Sequence, residues 1–224
     1  MTNTTLAERK TRPLVTEIER AGIVAVIRMK EAGKVRAVID ALAEGGIRAL
    51  EITMTVPGAV DLIRQLAPTL PPGFIFGAGT VLDADTVHQV VDAGAQFIVS
   101  PVFRREVIDA CRRRDVAAMP GCLTPTEILD AWDAGADVVK VFPATTFGPG
   151  YLRDVRAPLP HVKLMPTGGV TVENAGDWIR AGAVAVGVGS SLLDTKAIAE
   201  GDFGVLRAKA ATMIANVRAA RGQA

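Results

Sequence analysis

The chain has 224 residues, 49% hydrophobic and 22% charged, with a formal net charge of +1. This is enough material for a substantial core in a globular protein. The near-neutral balance, with no basic stripe interleaved with aromatics, excludes an electrostatic case for nucleic acid or an anionic membrane as partner.

Met1 to Lys10 lacks the apolar core of a signal peptide, and no apolar run is long enough to span a bilayer, so a cytoplasmic location is expected. A short helix is expected near Leu14 to Arg20. Strands then read at Ile23 to Arg28, Ala49 to Met54, Phe74 to Gly79, Gln96 to Ser100, Val116 to Met119, Val138 to Phe142, Val162 to Met165 and Ala185 to Val188. Helices fit between them at Lys34 to Glu44, Ala59 to Leu66, Ala84 to Ala93, Arg105 to Arg114, Pro125 to Ala134, a poorly marked stretch near Tyr151 to Val155, and Glu173 to Ala181. A last helix follows near Gly204 to Arg218.

A repeated phrase joins these pieces: a helical segment ends in glycine and a β-branched run soon begins. It occurs at Glu44-Gly45-Gly46-Ile47, Asp92-Ala93-Gly94-Ala95, Asp133-Ala134-Gly135-Ala136 and Arg180-Ala181-Gly182-Ala183. Each glycine suits a left-handed helix end, and each short apolar run suits a strand covered on both faces. The eight alternating strand and helix units predict an α/β chain folded as one (β/α)8 TIM barrel over residues 1–224, with a short N-terminal helix. A doubly wound open sheet also alternates strands and helices, but the glycines after Gly79 and Gly189 form no GxGxxG turn with a downstream ribose-binding acid.

Chemistry in such a barrel sits at the carboxyl ends of the strands. The sequence puts Arg28, Glu51, Thr53, Thr80, Pro101, Lys140, Phe142, Thr167, Gly168, Gly169, Gly189 and Ser190 there. Lys140 is the only charge between Val138 and Phe142. An ammonium in that run loses hydration, which lowers its pKa and favours the free amine a Schiff base needs. A lysine in an apolar strand can also snorkel to the surface, and Lys163 in Val162-Lys163-Leu164 reads that way.

Period-2 alternation puts Leu50, Ile52 and Met54 on one face and Ala49, Glu51 and Thr53 on the other. With the apolar face toward the helices, Glu51 points inward. The same rule turns Val139 and Val141 outward and Val138, Lys140 and Phe142 inward, so Glu51 and Lys140 share one interior. Glu51 is then either a structural partner of Lys140 or Arg28, or a general acid/base.

Thr167-Gly168-Gly169-Val170-Thr171 and Gly187-Val188-Gly189-Ser190-Ser191 follow the last two strands. Exposed backbone N–H groups and a serine hydroxyl make these loops a candidate phosphate cradle, against the plainer alternative of tight turns. His88 and His161 join no ligand set, and Cys111 and Cys122 have no metal-binding spacing, so neither metal nor cofactor is expected.

Taken in order, Glu44-Gly45-Gly46-Ile47-Arg48-Ala49-Leu50-Glu51-Ile52-Thr53, Gly77-Ala78-Gly79-Thr80-Val81, Phe97-Ile98-Val99-Ser100-Pro101, Val139-Lys140-Val141-Phe142-Pro143 and Pro166-Thr167-Gly168-Gly169-Val170 resemble the 2-keto-3-deoxy-6-phosphogluconate (KDPG) / 4-hydroxy-2-oxoglutarate (KHG) aldolase family. The resemblance implies a class I aldolase, usually a homotrimer, that cleaves a phosphorylated 2-keto-3-deoxy sugar acid to pyruvate and glyceraldehyde 3-phosphate without a metal. It implies Lys140 as the Schiff-base lysine and Glu51 as the proton-transfer residue. Thr80 would contact the pyruvate carboxylate region, Pro101 and Phe142 would shape the pocket, and Thr167, Gly168, Gly169, Gly189 and Ser190 would bind phosphate, with Arg28 and Thr53 also expected against substrate. Many relatives carry an arginine where this chain has Thr55; Arg28 could supply that cation. Phe147-Gly148-Pro149 resembles the galactonate-specific branch, which keeps the C4 epimer as an alternative substrate, beside a non-catalytic phosphate-ligand-binding barrel.

Overall fold

A computed structural model describes residues 11–223. The reading of Met1 to Lys10 as lacking a leader lies outside the described residues, and the expected single domain over 1–224 is followed only within them.

Helix α1 (Pro13–Ala21) opens with proline at its first position, where the missing N–H costs nothing. The strands are β1 (Ile23–Ile27), β2 (Ala49–Thr53), β3 (Ile75–Gly79), β4 (Phe97–Val99), β5 (Ala117–Met119), β6 (Gly121–Cys122), β7 (Val139–Val141), β8 (Leu164–Pro166) and β9 (Val186–Val188). Between them run α2 (Val35–Glu44), α3 (Ala59–Leu66), α4 (Ala84–Asp92), α5 (Arg105–Arg113), α6 (Pro125–Ala134), α7 (Gly148–Arg156) and α8 (Ala175–Arg180); α9 (Thr195–Glu200) and α10 (Phe203–Ala220) follow. Gly46, Gly94, Gly135 and Gly182, predicted to end helices, all have left-handed φ between 99 and 118°.

All pairings are parallel, in a six-stranded run β5-β4-β3-β2-β1-β9 and a three-stranded run β6-β7-β8. The two runs meet twice. On one side Asp137 N donates to Ala118 O at 2.9 Å and Lys140 N to Pro120 O at 2.9 Å; on the other Val184 N donates to Leu164 O at 3.0 Å and Thr167 bridges Gly187. The result is an α/β fold with a curled parallel sheet.

The two faces of the curl carry separate cores. Ile23, Ile27, Leu50, Ile52, Val139 and Val141 pack outward with the helices. Val24, Ala49, Ile75, Phe97, Ala117, Val138, Met165 and Ala185 pack inward, together with Val15 and Ile18 of α1. These inward residues lie toward the amino ends of their strands, so α1 stoppers that end. The alternation predicted for the second and sixth strands is therefore present, and the charged members of the inward face sit farther along, toward the carboxyl ends.

Several elements differ from expectation, among them β8, which begins at Leu164 rather than Val162, and α7, which spans Gly148–Arg156 rather than Tyr151 to Val155. The fifth strand is two pieces, β5 and β6, because Pro120 between them has no N–H for the ladder; β5 pairs with β4 and β6 with β7. Helix α8 starts at Ala175 rather than near Glu173. Asn174 and Thr171 exchange side-chain-to-backbone hydrogen bonds there, a turn that competes with helix. The six-residue α9 was not predicted; Asp194 caps it by accepting from Ala197 N at 3.0 Å. Among the described residues no helix is long and apolar enough to cross a membrane.

Candidate active site

Glu51 comes from the middle of β2 and Lys140 from the middle of β7, and both are inward positions in apolar strands. Their side chains are almost completely buried, 1% and 4% exposed. Burial therefore dominates both titrations. It pushes the Lys140 ammonium below the usual lysine range, while Glu51 pulls it back up and Arg28 presses it further down. Burial raises the Glu51 carboxyl, an effect opposed by Lys140 and then Arg28. Lys140 Nζ also stands 4.8 Å from the centroid of the Phe142 ring, which favours its cationic form when it is protonated.

The Glu51 carboxylate occupies space that only a glycine at the end of β3 leaves open: a Cβ on Gly79 would collide with Oε1. Its other oxygen, Oε2, is buried without a hydrogen-bond partner among the described residues. Thr167 repeats the pattern. Its hydroxyl is buried and unpartnered, in room left by Gly187. Buried acceptors and hydroxyls are normally satisfied, so these two are exceptions that sit beside the strand ends.

A cavity of about 780 Å³ opens at the carboxyl ends of the strands. It joins Arg28, Lys140, Phe142, Thr167, Gly168, Gly189 and Ser190 of the predicted set. Glu51, Thr53, Thr80, Pro101 and Gly169 are not part of its lining. Glu51 nevertheless interacts electrostatically with two of the cavity's cations, Lys140 and Arg28. Gly168 and Gly169 have φ of 91° and 71°, and a Cβ on either would press on Thr145. Asn174 Nδ2 donates to Gly169 O at 2.9 Å and steadies that loop. Thr80 holds φ at 60°, a left-handed conformation that a β-branched residue rarely adopts.

Thr53 is fully buried and its hydroxyl donates to Ile27 O at 3.1 Å, which ties β2 to β1. It also lies 2.8 Å from the Thr55 hydroxyl, and Thr55 does line the cavity. The Met29-Lys30-Glu31 segment after β1, and Leu193, Thr195 and Ile198 around α9, complete the wall. Reading by strand ends passed over the α9 residues; the Asp194-Thr195 helix start is the signal that could have found them.

Lys163 lies at the opposite, α1 side: its Nζ pairs with Glu19 at 2.5 Å and donates to Thr11 at 2.9 Å. Cys111 and Cys122 are free and buried, with thiols pushed up to about 12, so both are poor thiolate nucleophiles. The histidines are half-buried, His88 near an Arg114 nitrogen at 3.3 Å and His161 edge-on to Trp132. No group of three or more His, Cys, Asp or Glu that could hold a metal occurs among the described residues.

A curled parallel sheet that buries an amine and a carboxylate beside a cavity at its carboxyl ends is the layout of an α/β lyase of the aldolase class. The model of the family "KDPG and KHG aldolase" matches residues 15–208. The chain is 34% identical over 171 residues to the 2-dehydro-3-deoxy-6-phosphogalactonate aldolase of Escherichia coli, covering 76% of this chain and 83% of that one. It is 34% identical over 197 residues to the 2-dehydro-3-deoxy-phosphogluconate aldolase of Pseudomonas aeruginosa, covering 88% and 89%. Among solved structures, KDPG aldolase from Legionella pneumophila, with pyruvate captured as a covalent carbinolamine, superposes with a TM-score of 0.83 at 28% identity, over 90% of this chain and 98% of that one. The chain belongs to the KDPG and KHG aldolase family.

Proposed function

We propose that this chain is a class I aldolase that cleaves 2-keto-3-deoxy-6-phosphogluconate to pyruvate and glyceraldehyde 3-phosphate, and that it also accepts 4-hydroxy-2-oxoglutarate. The observation that carries the reading is the burial of the Lys140 amine, with depressed pKa, within the electrostatic reach of the buried Glu51 carboxyl. The scaffold is read as one closed (β/α)8 barrel, supported by the hydrogen bonds that join the two strand runs on both sides.

Neutral Lys140 attacks the C2 ketone, and the carbinolamine loses water to an iminium with proton help from Glu51. Glu51 then takes the proton of the C4 hydroxyl. The C3–C4 bond breaks, its electron pair passes into the iminium to leave an enamine on Lys140, and the aldehyde departs. Protonation at C3 and addition of water release pyruvate and the free amine. The iminium is the electron sink, so every step balances without a metal. Backbone N–H groups of Gly168 and Gly189 with the Ser190 hydroxyl take the phosphate, and Arg28 adds the cation. Thr80 and Pro101 are assigned to the pyruvate end.

Borohydride with pyruvate should leave a covalent adduct on Lys140, located by peptide mass mapping. An unmodified protein, or an adduct on Lys163, would defeat the assignment.

A second reading, cleavage of the C4 epimer, has the galactonate-type relative and the Phe147 segment in its favour; the Phe147 ring stacks on Tyr151 with centroids 4.9 Å apart. A panel of both epimers compared by kcat/KM decides between them. A cytoplasmic homotrimer is also part of the proposal, supported by exposed Leu82 and Val102 on neighbouring loops after β3 and β4; light scattering of the purified chain tests the oligomer.

A further inference from the structure

The end of β2 carries a relay of three oxygens whose direction is fixed by chemistry. The Ile27 carbonyl has no proton, so Thr53 must donate to it across 3.1 Å. A threonine hydroxyl has one proton, and that of Thr53 is now committed. The 2.8 Å contact between the Thr53 and Thr55 hydroxyls therefore has Thr55 as donor. Thr53 is fully buried and held in the β2 strand, opposite Gly79 in the parallel ladder, so the orientation is built into the fold.

The consequence reaches the cavity, because Thr55 is part of its wall. With its proton turned back to Thr53, the Thr55 oxygen offers only lone pairs to a bound molecule. We propose that Thr55 is a specificity residue that accepts a hydrogen bond from a substrate hydroxyl, and that it discriminates against a carboxylate in the same place. This rests on the aldolase reading above. In the phosphorylated sugar acid the carbon beyond C4 bears a hydroxyl, a donor; in 4-hydroxy-2-oxoglutarate that carbon is the second carboxylate, which has only acceptors to set against the Thr55 lone pairs. Arg28, Lys30 and the reacting Lys140 are the cationic side chains of the same wall, and Glu31 its anion. Thr167, Ser190 and Thr195 also bring hydroxyls to the wall, but among the described residues Thr55 is the one whose proton is committed to a bond inside the protein, which makes it the wall's acceptor-only hydroxyl.

The test is pyruvate release by wild type, Thr55→Val and Thr55→Ser from three substrates: the phosphorylated sugar acid, its 5-deoxy analogue and 4-hydroxy-2-oxoglutarate. Valine keeps the shape and removes the acceptor. Thr55→Val should lower kcat/KM about threefold to tenfold with the sugar acid, the range for one hydrogen bond. It should change the 5-deoxy analogue less than about twofold and leave 4-hydroxy-2-oxoglutarate unchanged or improved. Thr55→Ser should keep the wild-type ratios. Thr53→Val, with folding checked by thermal melting, frees the Thr55 proton and should relax the same ratio. Equal losses on all three substrates, or no loss on any, would overturn the inference. Pyruvate trapping on Lys140 is run on every variant: a missing adduct in wild type removes the aldolase reading itself, whereas normal trapping with unmoved ratios removes the role of Thr55 alone.

Discussion

Gly79 and Glu51 form a lock in which one residue is defined by what it lacks: the Glu51 carboxylate stands where a Cβ on Gly79 would be. The two strands pair directly alongside, Glu51 with Gly77 and Thr53 with Gly79, so the glycine cannot move aside without moving the ladder. Gly79→Ala should consequently displace the carboxylate rather than the backbone. A displacement of this size costs on the order of a hundredfold in rate when it misplaces a proton-transfer group. Steady-state pyruvate release should fall by about that factor, while the melting temperature drops only by the modest amount expected of an overpacked methyl. A variant with unaltered kcat would mean that Glu51 is not the group that moves the proton.

The titration of Lys140 has two neighbours of opposite sign, which gives two shifts of opposite sign. Burial lowers the Lys140 pKa most; Glu51 opposes it by raising the pKa, and Arg28 adds to it by lowering the pKa further. Removing the negative charge with Glu51→Gln should move the pH midpoint of pyruvate trapping to lower pH. Removing the positive charge with Arg28→Gln should move it to higher pH. The midpoint of the borohydride-trapping rate against pH is the readout, since it is independent of the lower amplitude each variant will show. Shifts in the same direction would mean that the amine titrates under another influence.

Thr80 is the described β-branched residue held in left-handed backbone, at φ 60°, one residue beyond Gly79. Such a conformation costs of order 1–3 kcal/mol and persists where surrounding structure enforces it, commonly beside a site. Glycine removes the strain but adds unfolded-state freedom, so Thr80→Gly should stabilise by about 1 kcal/mol, roughly 2–4 °C in melting temperature at this chain length. If the threonine holds the pyruvate end, kcat/KM falls in the same variant. A less stable Thr80→Gly would show that the side chain is held by packing and not by function.

The order of strands, their faces and the inward placement of Glu51 and Lys140 were legible because period-2 alternation and helix-ending glycines are local signals. The break at Pro120 was visible as a residue, but its consequence, one strand serving two neighbours, depends on pairing partners that no local pattern specifies. The role of Gly79 was hidden for a related reason. A glycine that makes room for a side chain on the adjacent strand looks, in sequence, like any other strand-end glycine. Thr53 read as a substrate contact because its face is the inward one; its hydroxyl is instead committed to Ile27, and the cavity meets Thr55 two residues later. The α9 wall was passed over because six residues carry too little periodicity to announce a helix.

Thr167 gives the sharpest separation of stability from function. Its hydroxyl is buried without a partner among the described residues, at the junction where β8 bridges to β9 and beside the Gly168 loop of the cavity. An unsatisfied buried hydroxyl costs about 1–3 kcal/mol, and valine has the same shape without that cost. Thr167→Val should therefore raise the melting temperature of the free protein. The same change removes the group that would complete its hydrogen bond on substrate, so kcat/KM with the phosphorylated sugar acid should fall about threefold to tenfold, as for one hydrogen bond. Thermal melting with and without substrate analogue gives the decisive comparison: the variant should start higher and gain less on binding. A variant that melts lower than wild type would mean that the Thr167 hydroxyl is already satisfied in the free protein, and its place in the substrate network would fall with that result.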